Sequence, residues 1–256
     1  MSLTQADAPT GPGAAAHPAP HGARLALRGV RLGHRGNVVL DEVDLSVEAG
    51  EVLTVVGPSG CGKSTLLRTL AGLLPPLAGA VEQDGAPVRG PDADRALVFQ
   101  DDALLPWRTV RANVELPLAI GRSRPPRAER RRIAGEWLER VGLDGHAHKY
   151  PHQLSGGQRQ RVQLARALAA RPRAVLMDEP FGALDAQTRA EMQDLLVDVL
   201  AGTGATVVFV THDVDEALFL GDRVALLAAA QVVPVPRPRD RGASYAGLRQ
   251  QIINSL

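Results

Sequence analysis

The chain has 256 residues, a formal net charge of +1, 45% hydrophobic residues and 22% charged residues, the composition of a globular protein with room for a full core. A charge so close to neutral gives no support for binding through bulk electrostatics, so we expect no nucleic acid among the partners. The single cysteine, Cys61, excludes an internal disulfide, and no apolar run approaches the ~18 residues that a membrane-spanning helix needs.

The two ends of the chain differ from its middle. Residues 1–23 are rich in alanine, proline and glycine, which predicts a disordered N-terminal tail and not a signal peptide. Residues 24–233 are expected to form one domain, and residues 234–256 a linker followed by a short C-terminal helix. Near the start of the domain, LALRGVRLG and VVLDEVDLSVEAGE alternate polar and apolar residues, which is typical of antiparallel strands.

Four short apolar runs predict buried strands of a parallel sheet, because strands covered by helices on both faces are apolar throughout. The runs are Val52 to Val56, Ala96 to Phe99, Ala174 to Met177 and Thr206 to Val210. After the first run, Leu66, Leu67, Leu70 and Leu73 share one predicted helical face. Residues 101–172 are predicted to be mainly a helical lobe inserted in the sheet. The predicted fold is therefore α/β, a P-loop NTPase parallel sheet with flanking antiparallel strands and an inserted helical lobe.

The segment GPSGCGKS matches the P-loop pattern G-x-x-x-x-G-K-[ST] and lies between a predicted strand and a predicted helix. Its glycines allow backbone N–H groups to surround phosphates, while Lys63 suits the β- and γ-phosphates and the Ser64 hydroxyl suits Mg²⁺. The predicted nucleotide-binding residues here are Gly57, Pro58, Ser59, Gly60, Cys61, Gly62, Lys63, Ser64 and Thr65.

Polar side chains follow three of the apolar runs, at the edge of the sheet where a P-loop lies. Asp178 is predicted to hold Mg²⁺ directly or through water, and Glu179 to orient or deprotonate the attacking water. Gln100 is a second candidate Mg²⁺ ligand, and His212 a candidate γ-phosphate contact. Each of these residues, taken alone, also fits a purely structural role.

The segment LSGGQ, Leu154 to Gln158, predicts a second anion site, since it places a serine and two glycines at the start of a predicted helix. GPSGCGKS, Gln100, LSGGQ, LMDEP, GALD and His212 occur in the order that marks the ATP-binding subunits of ABC transporters. The chain resembles this family from about residue 24 to residue 228. A simple nucleotide kinase would lack LSGGQ.

The resemblance implies a head-to-tail pair of subunits that binds ATP and Mg²⁺, with LSGGQ of one copy covering the ATP on the P-loop of the other. It implies that Glu179 is the general base, His212 the phosphate sensor and Asp185 an organiser of the facing surfaces. The residues that it places against the partner's γ-phosphate are Ser155, Gly156, Gly157 and Gln158. A Glu179→Gln variant is expected to form an ATP-stabilised dimer with little turnover. Whether the two copies are identical or related stays open, with a homodimer preferred.

One position departs from the family pattern. The family usually stacks adenine on an aromatic residue upstream of the P-loop, and this chain offers His34 there. Imidazole stacks more weakly than a larger ring, and His34 fits equally well as a plain turn residue.

The resemblance also suggests the machine that the ATPase drives. Leu104, Leu105 and Trp107 are candidate anchors for a helix of a transmembrane permease, although they would also close the lobe's own core. The segments PDADRALVFQDDALLPWRTVRANV and PFGALDAQTR resemble ATPases of importers for taurine, aliphatic sulfonates and nitrate. Taurine or an aliphatic sulfonate is the preferred cargo, with nitrate or another small solute as the alternative. The chain would lie peripherally on the cytoplasmic face of the cell membrane and depend indirectly on a substrate-binding protein.

Two other functions fit the sequence less well. A soluble ABC-type ATPase acting on nucleic acid or the ribosome would carry a long coiled-coil insertion or two ATPase units, and this chain has neither feature. An exporter ATPase is often fused to membrane helices, which the sequence lacks.

Overall fold

The computed structural model of the chain describes residues 21–34, 37–101, 103–227, 231–236, 239 and 245–255. The strands in these ranges are β1 (Leu25–His34), β2 (Asn37–Val47), β3 (Val52–Val56), β4 (Ala78–Gln83), β5 (Ala86–Pro87), β6 (Arg95–Val98), β7 (Ala174–Asp178), β8 (Thr206–Thr211), β9 (Arg223–Leu226) and β10 (Gln231–Pro234). The α-helices are α1 (Lys63–Leu70), α2 (Val110–Ile120), α3 (Arg127–Arg140), α4 (Gly156–Ala169), α5 (Ala186–Ala201), α6 (Val214–Leu220) and α7 (Ala246–Asn254).

A six-stranded sheet in the order β10-β9-β3-β8-β7-β6 forms the centre of the fold. All its pairs are parallel except β9 with β10. Every residue of β3 and β8 is buried, which explains why these runs are apolar except for threonines. The registers Val56 to Thr211 and Asp178 to Val210 bring the carboxyl ends of β3, β7 and β8 to one edge. The predicted site residues after these strands therefore share that edge.

A second sheet, in the order β2-β1-β4-β5, is antiparallel and flanks the first. Leu25 and Leu32 of β1 lie in the same buried cluster as Leu66 and Leu67 of α1. The helix that begins at the P-loop is thus packed between the two sheets, which fixes its position.

The helical lobe lies between β6 and β7 and contains α2, α3 and α4, with short 3₁₀ turns at Asp144–His146 and Pro151–Gln153. Helix α3 begins directly after Pro126, and its Trp137 and Leu138 are buried in the cluster that also contains residues of α2 and α4. The proline precedes the first helical residue because it cannot supply the N–H that a helix interior needs.

Two details of the sequence prediction are wrong. Leu73 was expected on the buried face of α1, but the helix ends at Leu70 and Leu73 is 50% exposed. The helix ends there because Gly72 adopts a left-handed conformation, φ 78°, against the Gly90 backbone. Phe99, expected in a buried strand, lies one residue beyond β6 and is exposed.

The ends of the chain are only partly described. Residues 1–20, most of the expected tail, lie outside the described residues, while Ala23 is buried and donates its N–H to Arg173 O at 3.1 Å. Helix α7 occupies the place of the expected closing helix. Within the described ranges, no helix has the length and apolar character needed to cross a membrane.

Candidate functional site

The loop between β3 and α1 forms an anion cradle. Gly62 precedes α1 with φ 103°, a conformation that favours glycine, and the start of α1 has no side-chain cap. A Cβ at Gly57 would lie 2.7 Å from Cys61 Sγ, so the loop closes tightly only because this residue is glycine. The first N–H groups of a helix have no partner within the helix, and here no cap competes for them. The geometry fits a bound phosphate.

Lys63, the first residue of α1, holds its ammonium group inside this loop. The side chain is only 5% exposed, and Nζ donates to Gly57 O at 2.7 Å and Pro58 O at 3.1 Å. Nζ also lies 3.4 Å from Glu179 Oε1. A buried cation therefore stands between the loop and the carboxylate that follows β7. The sequence did not reveal this ion pair, because the two residues are far apart along the chain.

Ser64 and Asp178 form the candidate magnesium position. Ser64 Oγ donates to Asp178 Oδ1 at 3.1 Å, and burial is the main cause that raises the pKa of the Asp178 carboxyl. A cation beside this carboxylate would offset that burial cost. No cluster of three or more metal-ligating His, Cys, Asp or Glu side chains occurs in the described ranges. The oxygens of Ser64 and Asp178 fit Mg²⁺, which binds through one or two protein oxygens together with substrate phosphates.

Glu179 and His212 are brought together at the end of β7 and β8. His212 Nδ1 lies 2.8 Å from Glu179 Oε2, while the other carboxylate oxygen faces Lys63. Glu179 has φ 43°, an uncommon backbone conformation for a non-glycine residue, and its N–H donates to Val210 O at 3.0 Å. The carboxylate is thus oriented from both sides, and the imidazole is 57% exposed.

Gln100 lies two residues beyond the end of β6, at the same edge of the sheet, and its side chain is exposed. Among the described contacts, its amide has no hydrogen bond with Ser64 or Asp178. The structure therefore brings Lys63, Ser64, Asp178, Glu179 and His212 into direct contact in pairs, and leaves Gln100 on the rim.

Ser155 and Gly156 begin α4 on an exposed face. Ser155 Oγ accepts from Gln158 N at 3.3 Å, and Ser155 N donates to Gln158 Oε1 at 3.1 Å, which is a capping box. Gly157 is buried, and a Cβ there would lie 2.8 Å from Thr188 Cγ2 of α5. The LSGGQ segment is therefore packed against the first turn of α5.

Asp185 caps the helix α5 that Gly157 contacts. Its Oδ1 accepts from Thr188 N at 3.0 Å, and hydrogen bonds from Thr188 hold the pKa of the carboxyl below its usual value. The LSGGQ and GALD segments thus meet at one place on the surface.

Residues of β2 contact the P-loop, and the sequence analysis missed this contact. A Cβ at Gly62 would meet Val39 Cγ1 and Leu40 Cδ1 at 2.9 Å each, so β2 lies over the P-loop. Val38 and Val39 are exposed. The alternation of polar and apolar residues in this segment predicted a strand, but it gave no sign of contact with the P-loop. The predicted adenine contact, the side chain of His34, lies outside the described part of the chain.

Comparison with known proteins identifies the family. The model of the ABC transporter family matches residues 40–182, more than half of the chain. The chain belongs to the ABC transporter family. It is an ABC-type ATPase that binds ATP, and the assignment made from the motifs is confirmed.

Several relatives of this ABC ATPase have names. The nitrate import ATP-binding protein NrtD of Synechococcus elongatus is 44% identical over 86% of this chain and 85% of its own length. NrtC of the same organism, also named a nitrate import ATP-binding protein, is 47% identical, but the match spans only 35% of its length. The taurine import ATP-binding protein TauB of Yersinia pestis is 48% identical over 80% of this chain and 79% of its own length.

Solved structures support the architecture. The structure of MJ0796, described as a dimeric bacterial ABC transporter cassette, matches with a TM-score of 0.74 and 36% identity, over 84% of this chain and all of the other. A second MJ0796 structure, described as a dimer bound to ADP and Pi, matches with a TM-score of 0.72 and 35% identity, over the same shares. The predicted α/β fold class, with its flanking strands and helical lobe, is confirmed.

Proposed function

We propose that this ABC ATPase energises an importer for a small anion, with taurine or an aliphatic sulfonate as the first candidate cargo and nitrate as the alternative. The observation that carries the proposal is the similarity to TauB and NrtD, which are named import ATP-binding proteins and match most of the chain. Because the sequence identities to TauB and NrtD are similar, 48% and 44%, both cargoes remain candidates.

Within one copy, different side chains bind the phosphates of ATP and the Mg²⁺ ion. Lys63 and the N–H groups at the start of α1 bind the β- and γ-phosphates. Ser64, Asp178 and Gln100 would hold Mg²⁺, which when bound neutralises charge on the phosphate oxygens. Ser64 Oγ and Asp178 Oδ1 lie 3.1 Å apart, whereas the side chain of Gln100 must move toward them from the rim.

Glu179 is proposed as the general base that orients and deprotonates the attacking water. Its carboxylate is held between the Lys63 ammonium and the His212 ring, so it needs no large rearrangement to face a γ-phosphate bound by Lys63. The exposed ring of His212 would contact the same phosphate.

A second copy is proposed to complete the site. Ser155, Gly156, Gly157 and Gln158 form the start of α4, where Ser155 and Gly156 are exposed, and Asp185 lies beside them at the start of α5. MJ0796 is described as a dimeric cassette, which supports a dimer for this chain as well. We propose a head-to-tail homodimer.

The membrane partner is proposed to dock beside Trp107. Leu104 is buried and serves the lobe's own core, whereas Trp107 is 72% exposed at the start of the lobe. An exposed tryptophan is a common anchor in protein interfaces. The chain would therefore contact a permease there and lie peripherally on the cytoplasmic face of the membrane. A substrate-binding protein would deliver the cargo to the permease and act on this chain only indirectly.

Uptake by right-side-out membrane vesicles tests this proposal. The vesicles contain the chain, its permease and internal ATP, and the binding protein is added outside with labelled taurine, an alkanesulfonate or nitrate. Wild type should take up taurine or the sulfonate, and Glu179→Gln should slow uptake by about 100-fold or more, since a general base contributes at least that factor.

Glu139→Gln is the matched control, because Glu139 is exposed on α3 away from the site, and it should transport like wild type. Uptake of nitrate alone would replace the first cargo by the alternative. An absence of ATP-dependent uptake for all three compounds would refute the importer proposal.

A further inference from the structure

The carbonyl groups on both sides of Gln100 are bound by one buried side chain. Gln163 of α4 is 2% exposed, and its Nε2 donates to Phe99 O at 2.9 Å and to Asp101 O at 3.1 Å. A glutamine amide has two N–H donors, so both are committed to the backbone that flanks Gln100.

A second side chain of α4 holds the next part of the same segment. Arg166, three residues after Gln163 and thus on the same face of the helix, donates from Nη1 to Ala103 O at 2.8 Å. Ala103 has φ 43°, an unfavourable conformation for alanine, which persists only where the surroundings hold it. Three carbonyls of the segment 99–103 are therefore bound by α4.

The same helix begins with the LSGGQ segment. Ser155 and Gln163 are eight residues apart on α4, about 12 Å along a rigid helix. The attachment of Gln100 to the sheet is weaker, since β6 has already ended at Val98. A shift of α4 would thus carry the backbone of Gln100 with it.

We propose that Gln163 is a positioning residue that ties the backbone of Gln100 to α4, so that Gln100 reaches the P-loop site only when the LSGGQ end of the same helix is in place. The proposal rests on the magnesium-binding role proposed for Gln100. Gln163 belongs to none of the family's motifs. In this proposal it links the two phosphate-binding regions.

The test uses Gln163→Met, which keeps the length of the side chain and removes both donors. Gln160→Met is the matched control, because Gln160 is also buried on α4, and its side-chain oxygen has no hydrogen-bond partner among the described residues. Gln163→Leu is a second variant in case methionine disturbs the packing.

Hydrogen exchange of the purified full chain without nucleotide tests the contact itself. Amides of residues 99–105 should exchange about tenfold faster in Gln163→Met, because the loop loses its anchor, and at the wild-type rate in Gln160→Met. An unchanged exchange rate in both Gln163 variants would overturn the proposal.

A double-mutant cycle with Gln100→Ala tests whether Gln163 acts through Gln100. In the wild-type background, Gln163→Met should lower kcat about tenfold with KM for ATP within about twofold, as expected for a misplaced group. In the Gln100→Ala background, it should lower kcat less than about twofold. Equal losses in the two backgrounds would mean that Gln163 only supports the fold.

Failure of the role proposed for Gln100 can be distinguished from failure of the contact proposed for Gln163. If Gln100→Ala leaves kcat and the magnesium dependence of the ATPase unchanged, the role proposed for Gln100 is wrong. In that case the exchange experiment still decides whether Gln163 holds the loop, and the positioning role is overturned along with the role of Gln100.

Discussion

The starts of α1 and α4 are both candidate phosphate sites, and they differ in whether a side chain caps their first N–H groups. At α1 the preceding residue is Gly62, which offers no cap, and the buried charge of Lys63 lies beside the open N–H groups. At α4, Ser155 and Gln158 cap the helix themselves, and the site is exposed.

This difference indicates that the two regions bind phosphate in different ways. The start of α1 gives up no internal hydrogen bond when an anion arrives, so it is built to bind on its own. The start of α4 must release its serine cap, a cost of about 1 kcal/mol, and the LSGGQ segment itself carries no charged side chain. A site of this kind adds contacts to a phosphate that another region already binds. The comparison therefore supports a shared site in which α1 binds first and α4 of a second copy closes it.

The largest expected effect comes from removing the charge of the first region. Lys63→Ala leaves Glu179 and two loop carbonyls without their cation, so ATP affinity should fall by about 3 kcal/mol, on the order of 100-fold. Isothermal titration with ATP and Mg²⁺ measures the loss. Lys149→Ala, which removes the chain's other lysine from the helical lobe, should bind like wild type. Wild-type affinity in Lys63→Ala would show that the first region does not depend on its cation.

The second region is tested by Ser155→Asp in a Glu179→Gln background, where ATP is not consumed. Aspartate caps a helix as well as serine does, so the melting temperature should stay within about 2 °C. Its negative charge repels a γ-phosphate, so the ATP-dependent dimer should weaken on the order of 100-fold. Light scattering after size exclusion measures the dimer.

Ser123→Asp is the control for this substitution, since Ser123 is an exposed serine in the lobe, away from both helix starts. ATP affinity of the monomer should be the same in both variants. A Ser155→Asp protein that still dimerises with ATP would place the second region outside the shared site.

The sequence predicts both regions in part. The P-loop and LSGGQ segments could be recognised because their chemistry depends on consecutive residues. The parallel strands could be recognised because burial on both faces makes β3 and β8 apolar except for threonines. The contact between Lys63 and Glu179 could not be predicted, since no local pattern encodes which oxygen a distant ammonium will face.

The link between the regions was equally hidden. Gln163 binds carbonyls 62 and 64 positions earlier in the chain, and in the sequence it is one polar residue on a helix. The end of α1 before Leu73 depends on a close approach between Gly72 and the backbone of Gly90, which is also a tertiary contact. Local chemistry was therefore accessible from the sequence, whereas the geometry that couples the two helix starts was not.

The smallest expected effect concerns a buried carboxylate on α6, outside both helix starts. Glu216 of α6 is buried, and Gln193 Nε2 of α5 donates to its Oε1 at 2.9 Å. Burial is the main cause that raises its pKa above the ordinary value of 4.5, and Asp213 raises it further. Hydrogen bonds from Thr211 and Gln193 and the charge of Arg189 act in the opposite direction, without cancelling the rise.

The sign of the effect on stability follows from this raised pKa. Between the unfolded and folded pKa values the native state binds more protons than the unfolded chain, so wild-type stability falls as pH rises through that interval. Glu216→Gln keeps an oxygen for Gln193 and removes the charge. It should therefore raise the melting temperature at pH 7.5 by about 2–4 °C, the shift that ~1 kcal/mol produces in a domain of this size.

Calorimetry at several pH values checks this expectation, and the gain should vanish well below the ordinary pKa of 4.5, where the carboxyl is protonated in both states. Asp215→Asn, at an exposed carboxylate on the same helix that pairs with Arg249, should change the melting temperature little at either pH, because exposed ion pairs contribute little. A gain of equal size at both pH values would show that packing, and not charge, limits stability at Glu216. With the expected pH dependence, α6 would keep a buried charge at a cost in stability, in contrast to the start of α4, whose LSGGQ segment has no charged side chain.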